Sequence, residues 1–284
     1  EAVENPNTEI LLNDAYKYDK KAEIGSVVDI PLETKQFGRI AAQAAKHVIR
    51  QGIREAERGQ MMQEFQSREH EISSAKVVRT DPARGSVSLE IGKSEAMLTR
   101  QEQVPGEELH EGDHVKVYVV EVAATDRGPR VMLSRTHPGL VKRLFEMEVP
   151  ELYDGTVELN AISREAGSRT KIAVYSKDQN VDAVGACIGP KGARVAKIVD
   201  ELGGEKIDVV KYSEDPAEFV AAALSPSQVV SVDVAEDGSK SCTVKVPDNQ
   251  LSLAIGNKGQ NARLAAKLTG WKIDIKPESG FYGE

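Results

Sequence analysis

The period of the hydrophobic positions changes several times along the chain, and each change marks a different kind of element. Residues 7–34 open as a short acidic helix: Asn7-Thr8-Glu9 leads into Ile10-Leu11-Leu12, with Ala15 and Tyr16 at helical spacing. Gly25 then precedes Val27-Val28-Asp29-Ile30, a strand pattern ended by Pro31. An amphipathic helix follows, with Phe37, Ile40, Ala41, Ala44 and Val48 on one face. Gly52 interrupts it, and Arg54-Glu55-Ala56-Glu57-Arg58 continues it as a charged, solvated stretch, the pattern of an exposed bridge.

From residue 67 to 135 the period is two. Ala75–Val78, Ser86–Ile91, Glu95–Leu98, Val115–Val120 and Arg130–Leu133 are separated by Gly, Pro, Asp and Arg. Five short strands suit a small closed barrel, because closure hides strand edges. The expectation is a five-stranded oligonucleotide-binding barrel, with another small barrel as the alternative.

Residues 136–211 read as helix, strand, strand, helix, loop, helix, strand, and residues 212–277 repeat that order. Pro138 opens the first helix of one copy and Asp215-Pro216 that of the other. Each copy holds Gly-x-x-Gly: Gly189-Pro190-Lys191-Gly192 and Gly256-Asn257-Lys258-Gly259, 67 residues apart. Matching strands, Lys206-Ile207-Asp208-Val209 and Lys272-Ile273-Asp274-Ile275, end the copies. Two copies of this two-layer α+β unit are nearly contiguous and are expected to pack as one body.

These loops fit a nucleic-acid backbone. Glycine lets the chain turn tightly and a sugar-phosphate lie against it. The helices after each loop present unpaired N–H groups, which attract an anion. Lys191 and Lys258 stand at matching loop positions, Arg194 and Arg263 follow, and Lys197 and Lys267 come later on the helices. The candidate RNA-binding set is therefore Gly189, Pro190, Lys191, Gly192, Arg194, Lys197, Gly256, Asn257, Lys258, Gly259, Arg263 and Lys267. Pro190 in one loop against Asn257 in the other suggests different stiffness. A duplicated scaffold whose glycines only make turns explains the glycines but not the matched lysines.

Composition changes the picture in two places. The net charge is -8, which by itself argues against nucleic acid. The charge is segregated, however: residues 1–34 hold eight acidic and three basic side chains, residues 252–276 five basic and one acidic. Cys187 and Cys242 have no metal-ligand spacing and read as buried, reduced thiols. The five histidines and Asp178, Asp182 and Asp200 form no catalytic or metal pattern. No cofactor, no metal and no enzymatic activity are expected. No apolar run is long enough for a membrane span, and the expected compartment is the cytoplasm.

Four stretches resemble the NusA family of bacterial transcription factors: Val184–Gly192 continuing through Asp200–Asp208, Gln250–Ala265, Phe37–Gln43 and Ser134–Leu140. The resemblance implies a truncated α/β N-terminal region, the partial polymerase-binding domain, with a linker helix over 1–66. It further implies an S-one-type OB-fold barrel over 67–135, KH domains of bacterial order (type II) over 136–211 and 212–277, and a tail over 278–284. It implies an RNA-binding elongation factor that regulates pausing, intrinsic termination and antitermination. The partners it implies are nascent single-stranded RNA, bacterial RNA polymerase and other antitermination factors, with a monomer expected. An accessory module in ribosome maturation or RNA decay is the alternative; the Phe37–Gln43 stretch and the domain order disfavour it. A protein-interaction scaffold would suit the acidic start, and an RNA-processing enzyme would need an acidic metal cluster that is not visible.

Overall fold

The computed structural model describes residues 3, 5, 8–31, 38–125 and 128–280. The chain divides into two units, residues 1–57 and 58–284. In the first, the acidic segment makes only the one-turn helix α1, Leu12–Ala15. Val27–Ile30 carries no strand, so the α/β reading of this region fails among the described residues. A β-branched run becomes a strand only when another strand takes its hydrogen bonds, and none does here among those residues. Helix α2 runs Arg39–Gln66 and crosses the division. On it Ala41, Ala44 and Val48 are exposed. Phe37 lies outside the described residues.

In the second unit, β1 (Ile72–Asp81), β2 (Ser86–Ile91), β3 (Ser94–Leu98), β4 (His114–Thr125) and β5 (Gly128–Ser134) form one antiparallel sheet. Its order is β3-β2-β1-β4-β5. The expected OB-fold barrel is not formed: among the described residues β3 and β5 are the two edges and do not pair, so no sheet closes. The ladder stops because β3 ends at Leu98 and the chain enters a 3-10 turn, Arg100–Glu102. The Arg135 N–H, just after β5, donates to the Glu102 carbonyl of that turn at 2.9 Å. Alternation still buries one face of the sheet, with Leu89, Ile91, Val117 and Val119 in it and Phe65 from the end of α2 among them.

The next segment is α3 (Pro138–Glu148), α4 (Pro150–Tyr153), β6 (Val157–Glu165), β7 (Arg169–Ser176), α5 (Ala183–Ile188), α6 (Ala193–Glu201) and β8 (Lys206–Lys211). The last is α7 (Pro216–Ala223), β9 (Ser231–Val234), β10 (Ser241–Val246), α8 (Leu251–Ile255), α9 (Gln260–Thr269) and β11 (Lys272–Pro277). In each, two strands are antiparallel and the third returns parallel to the middle one, giving orders β6-β7-β8 and β9-β10-β11. A parallel return needs a crossover, and α5–α6 and α8–α9 supply it. The helices cover one face of each sheet. The core of the last segment also takes in Ala173 of β7 and Val210 of β8, so the two α+β segments share apolar packing.

Candidate nucleic-acid interface

Each Gly-x-x-Gly loop sits between the two crossover helices. Asp182 caps α5 by accepting the Val184 N–H at 3.1 Å. The helix then stops at Gly189, whose backbone adopts φ 73°, ψ 174°. Gly256 stops α8 with φ 76°, ψ 171°. A Cβ on Gly189 would lie 2.6 Å from the Arg194 Cγ, and one on Gly256 would lie 2.8 Å from the Asn261 nitrogen. Both glycines are required twice over, by backbone conformation and by close approach.

The lysines that follow are left-handed: Lys191 has φ 53°, ψ 27° and Lys258 φ 51°, ψ 30°. Gly192 and Gly259 are also left-handed and act as the N-caps of α6 and α9 without any side-chain cap. Among the described residues, the first-turn N–H groups of both helices therefore lack a side-chain cap. The Pro190 and Asn257 loops share one backbone conformation to within a few degrees despite their different residues. Both lysines are exposed, and among the described residues neither enters an ion pair.

The cations on the helices are placed differently. Arg194 donates from Nη1 to Glu151 Oε2 at 2.9 Å and to the Ala186 carbonyl at 2.7 Å. Lys197 pairs with Glu148 at 3.0 Å. Arg263 donates from Nε to Glu165 Oε1 at 2.9 Å and from Nη1 to the Lys258 carbonyl at 2.9 Å. Lys267 is exposed, and its charge helps depress the Glu165 carboxyl. The hydrogen bond from Arg263 is the leading cause of that depression, with the bond from Gln260 next. Of the candidate cations, Lys191 and Lys258 face solvent at the loops, whereas Arg194, Lys197 and Arg263 already hold carboxylates.

Counting from the loops, Arg194 corresponds to Asn261, which is buried and donates to the Leu224 and Ala254 carbonyls at 3.0 and 2.9 Å. Arg263 corresponds to Ala196. The helix charges are thus not a repeated set, although the loop lysines are. Sequence reasoning missed Glu151, Glu165, Gln260 and Asn261 as supports of the loops. Gln260 and Asn261 were visible beside the second loop; the two glutamates lie on remote elements and gave no signal.

Apolar surface lies next to the second loop, where Leu253 and Ile255 are 46% and 37% exposed. Strands β8 and β11 are sheet edges, so one side of each keeps backbone groups outside the ladder. Together these features can take a phosphate at the loop, a base against aliphatic side chains and a hydrogen bond at a strand edge. Burial pushes the Cys187 thiol up to about 12, so it is protonated and inert. Among the described residues no group of three or more His, Cys, Asp or Glu could hold a metal ion, and no helix is long and apolar enough to cross a membrane.

The comparisons with known proteins cover nearly all of the chain. A NusA N-terminal domain is matched over residues 1–59, a NusA-like first KH domain over 135–212 and a NusA-like second KH domain over 216–282. The chain is 55% identical over 279 residues to the transcription termination/antitermination protein NusA of Halalkalibacterium halodurans, covering 98% of this chain and 72% of that protein. It is 56% identical over 277 residues to the Bacillus subtilis protein of the same name, covering 98% and 74%. The Thermus thermophilus protein is 43% identical over 276 residues, covering 97% and 71%. At this identity and coverage the chain belongs to the NusA family.

Proposed function

We propose that the two loops form one tethered site for single-stranded RNA, through which this chain acts as an RNA-binding transcription elongation factor in termination and antitermination. The observation that carries the site is the repeated loop: two different sequences adopt one backbone in which an exposed lysine is held left-handed beside an uncapped helix start. The site comprises Gly189–Gly192 and Gly256–Gly259, with Arg194, Lys197, Arg263 and Lys267 shaping the field around them. Nascent RNA is the ligand, RNA polymerase and other antitermination factors are the protein partners, and the cytoplasm is the compartment. Residues 1–66 serve the polymerase, 67–135 form a β module, and 136–211 and 212–277 are the two RNA-binding domains, followed by a tail.

The test replaces Pro190, Lys191, Asn257 and Lys258 by Asp. The glycines stay, and Asp tolerates the left-handed conformation better than most residues. Affinity for a labelled single-stranded RNA, read by fluorescence anisotropy, falls by more than about tenfold at low salt, because several backbone contacts are lost or reversed in charge. Either single-loop variant loses less, since the loops act in tandem. Circular dichroism of each variant matches the parent. Unchanged affinity in the folded double-loop variant would favour a scaffold role for the loops.

A further inference from the structure

The two loops share a backbone but not their supports. The first is held from within its own domain: Arg194 bridges Glu151 of α4 and the Ala186 carbonyl of α5. The second has Asn261 as an inner support, bonded to the Leu224 and Ala254 carbonyls, and is held from outside as well. Gln260, the first residue of α9, donates from Nε2 to Glu165 Oε2 at 2.8 Å and to Ser168 Oγ at 2.7 Å. Arg263, one turn on, donates from Nε to the other Glu165 oxygen at 2.9 Å. Its Nη1 reaches back to the Lys258 carbonyl at 2.9 Å. Glu165 ends β6 and Ser168 lies in the β6–β7 turn, both in the first domain. At the positions equivalent to Gln260 and Arg263, the first domain has Ala193 and Ala196, which cannot make such a grip.

Left-handed Lys258 is a strained residue, and such strain persists only where the surroundings hold it. In the second loop the guanidinium of Arg263 bonds the Lys258 carbonyl, and Glu165 in turn bonds the guanidinium. We propose that Glu165 is a positioning residue of the second RNA loop, supplied by the first domain, so that the second loop is complete only when the two domains are docked. This rests on the reading of the loops as RNA sites.

The proposal has a sign that simple electrostatics does not share. Glu165 carries negative charge near the phosphate path and neutralises Arg263. On charge alone, removing it strengthens RNA binding. If it positions the loop, removing it weakens binding. In the full chain, Glu165→Ala lowers affinity for a labelled single-stranded RNA by about two- to tenfold, the lower part of the range in which groups sharing one hydrogen-bond network couple. Glu165→Gln, which keeps an acceptor for Arg263, retains most of the affinity. Hydrogen exchange at the Gly259 amide, which donates to the Gly256 carbonyl at 3.1 Å, speeds up in Glu165→Ala, while exchange at Gly192 does not change.

Arg263→Lys supplies a second arm that leaves Glu165 in place and carries the test should Glu165→Ala not fold. Lysine keeps the charge but cannot bridge a carboxylate and a carbonyl in the same way. It weakens binding if Arg263 holds the loop and leaves it unchanged if only its charge matters. Unchanged or tighter binding in folded Glu165→Ala overturns the proposal, as does full affinity in Arg263→Lys. Lys258→Ala separates the two ideas. If it weakens binding and Glu165→Ala does not, the positioning role alone is wrong. If Lys258→Ala has no effect, the loop is not an RNA site and both readings fall.

Discussion

Lys191 and Lys258 stand where a lysine is costly. A left-handed backbone disfavours a residue with a Cβ by about 1–2 kcal/mol. Among the described residues only His70, Lys191, Lys240 and Lys258 share that feature outside glycine. A charged side chain held in such a place twice, at one loop position, supports the proposed RNA site. His137 shows a different residue-scale device. It caps α3 by accepting the Gly139 N–H on Nδ1 at 3.0 Å, and its ring stacks on Tyr118 with centroids 4.9 Å apart. Burial pushes its pKa below the ordinary imidazole value; Glu102 pulls the other way, and His70 and Arg164 add to the depression. The folded state therefore prefers the neutral ring. The stability this contributes is complete above the unfolded value near pH 6.5 and is lost as pH falls through the folded value. Thermal melting between pH 7.5 and 5.5 checks this. The parent loses stability on acidification, whereas His137→Asn, which can still cap, shows a flatter dependence over that window. Equal slopes would remove His137 from the account.

At the scale of elements, Glu205 joins three of them ahead of β8. Its carboxylate accepts from Arg164 Nε and Nη2 at 2.9 Å each, from the Gly167 N–H at 2.8 Å and from the Thr170 hydroxyl. Arg164 and Glu205 are both buried, at 1% and 0% side-chain exposure. Such a pair adds little net stability when complete, but removing one partner strands the other charge and costs about 3–5 kcal/mol. Glu205→Ala is expected to lose that much in urea denaturation. A loss below about 1 kcal/mol, the scale of an exposed pair, would show that water reaches Arg164. The same arithmetic explains why this pair was not legible. Both residue types are ordinarily exposed, and their partnership depends on how β6, the β6–β7 turn and β7 meet.

Across the 58–284 unit, the two KH segments are joined by more than a linker. Lys171, fully buried on β7, donates to Asp208 at 2.9 Å and to the Ser225 carbonyl at 2.6 Å. Burial works to raise the Asp208 carboxyl, but the bonds from Arg169 and Lys171 outweigh it and hold the carboxyl below its ordinary range. With Ala173 and Val210 in the second core, the segments are expected to unfold together. Two local probes test this. Trp271, the single tryptophan, packs against the second core, and Cys187 is buried in the first. In a Cys242→Ala chain, Trp271 fluorescence and Cys187 thiol labelling give one coincident urea transition. Fluorescence changing well before Cys187 becomes reactive would mean that the second domain melts alone.

The chain by itself determined whatever depends on neighbours in sequence. Gly189, Gly192, Gly256 and Gly259 set backbone conformations that few other residues allow, so both loops and the helices around them were legible. Alternation from Ala75 to Leu133 named five strands correctly for the same reason. Tertiary structure decided what depends on partners far along the chain. Whether β3 pairs with β5 is a question of long-range hydrogen bonding, and periodicity is silent on it; the sheet stays open. Val27–Ile30 has strand-forming residues but no strand beside it among those described. Arg263 looked like a free cation because its carboxylate, Glu165, lies 98 residues away. Local preference selects a conformation, but pairing of edges and charges is settled only when packing brings distant groups together and excludes the water that would otherwise satisfy them.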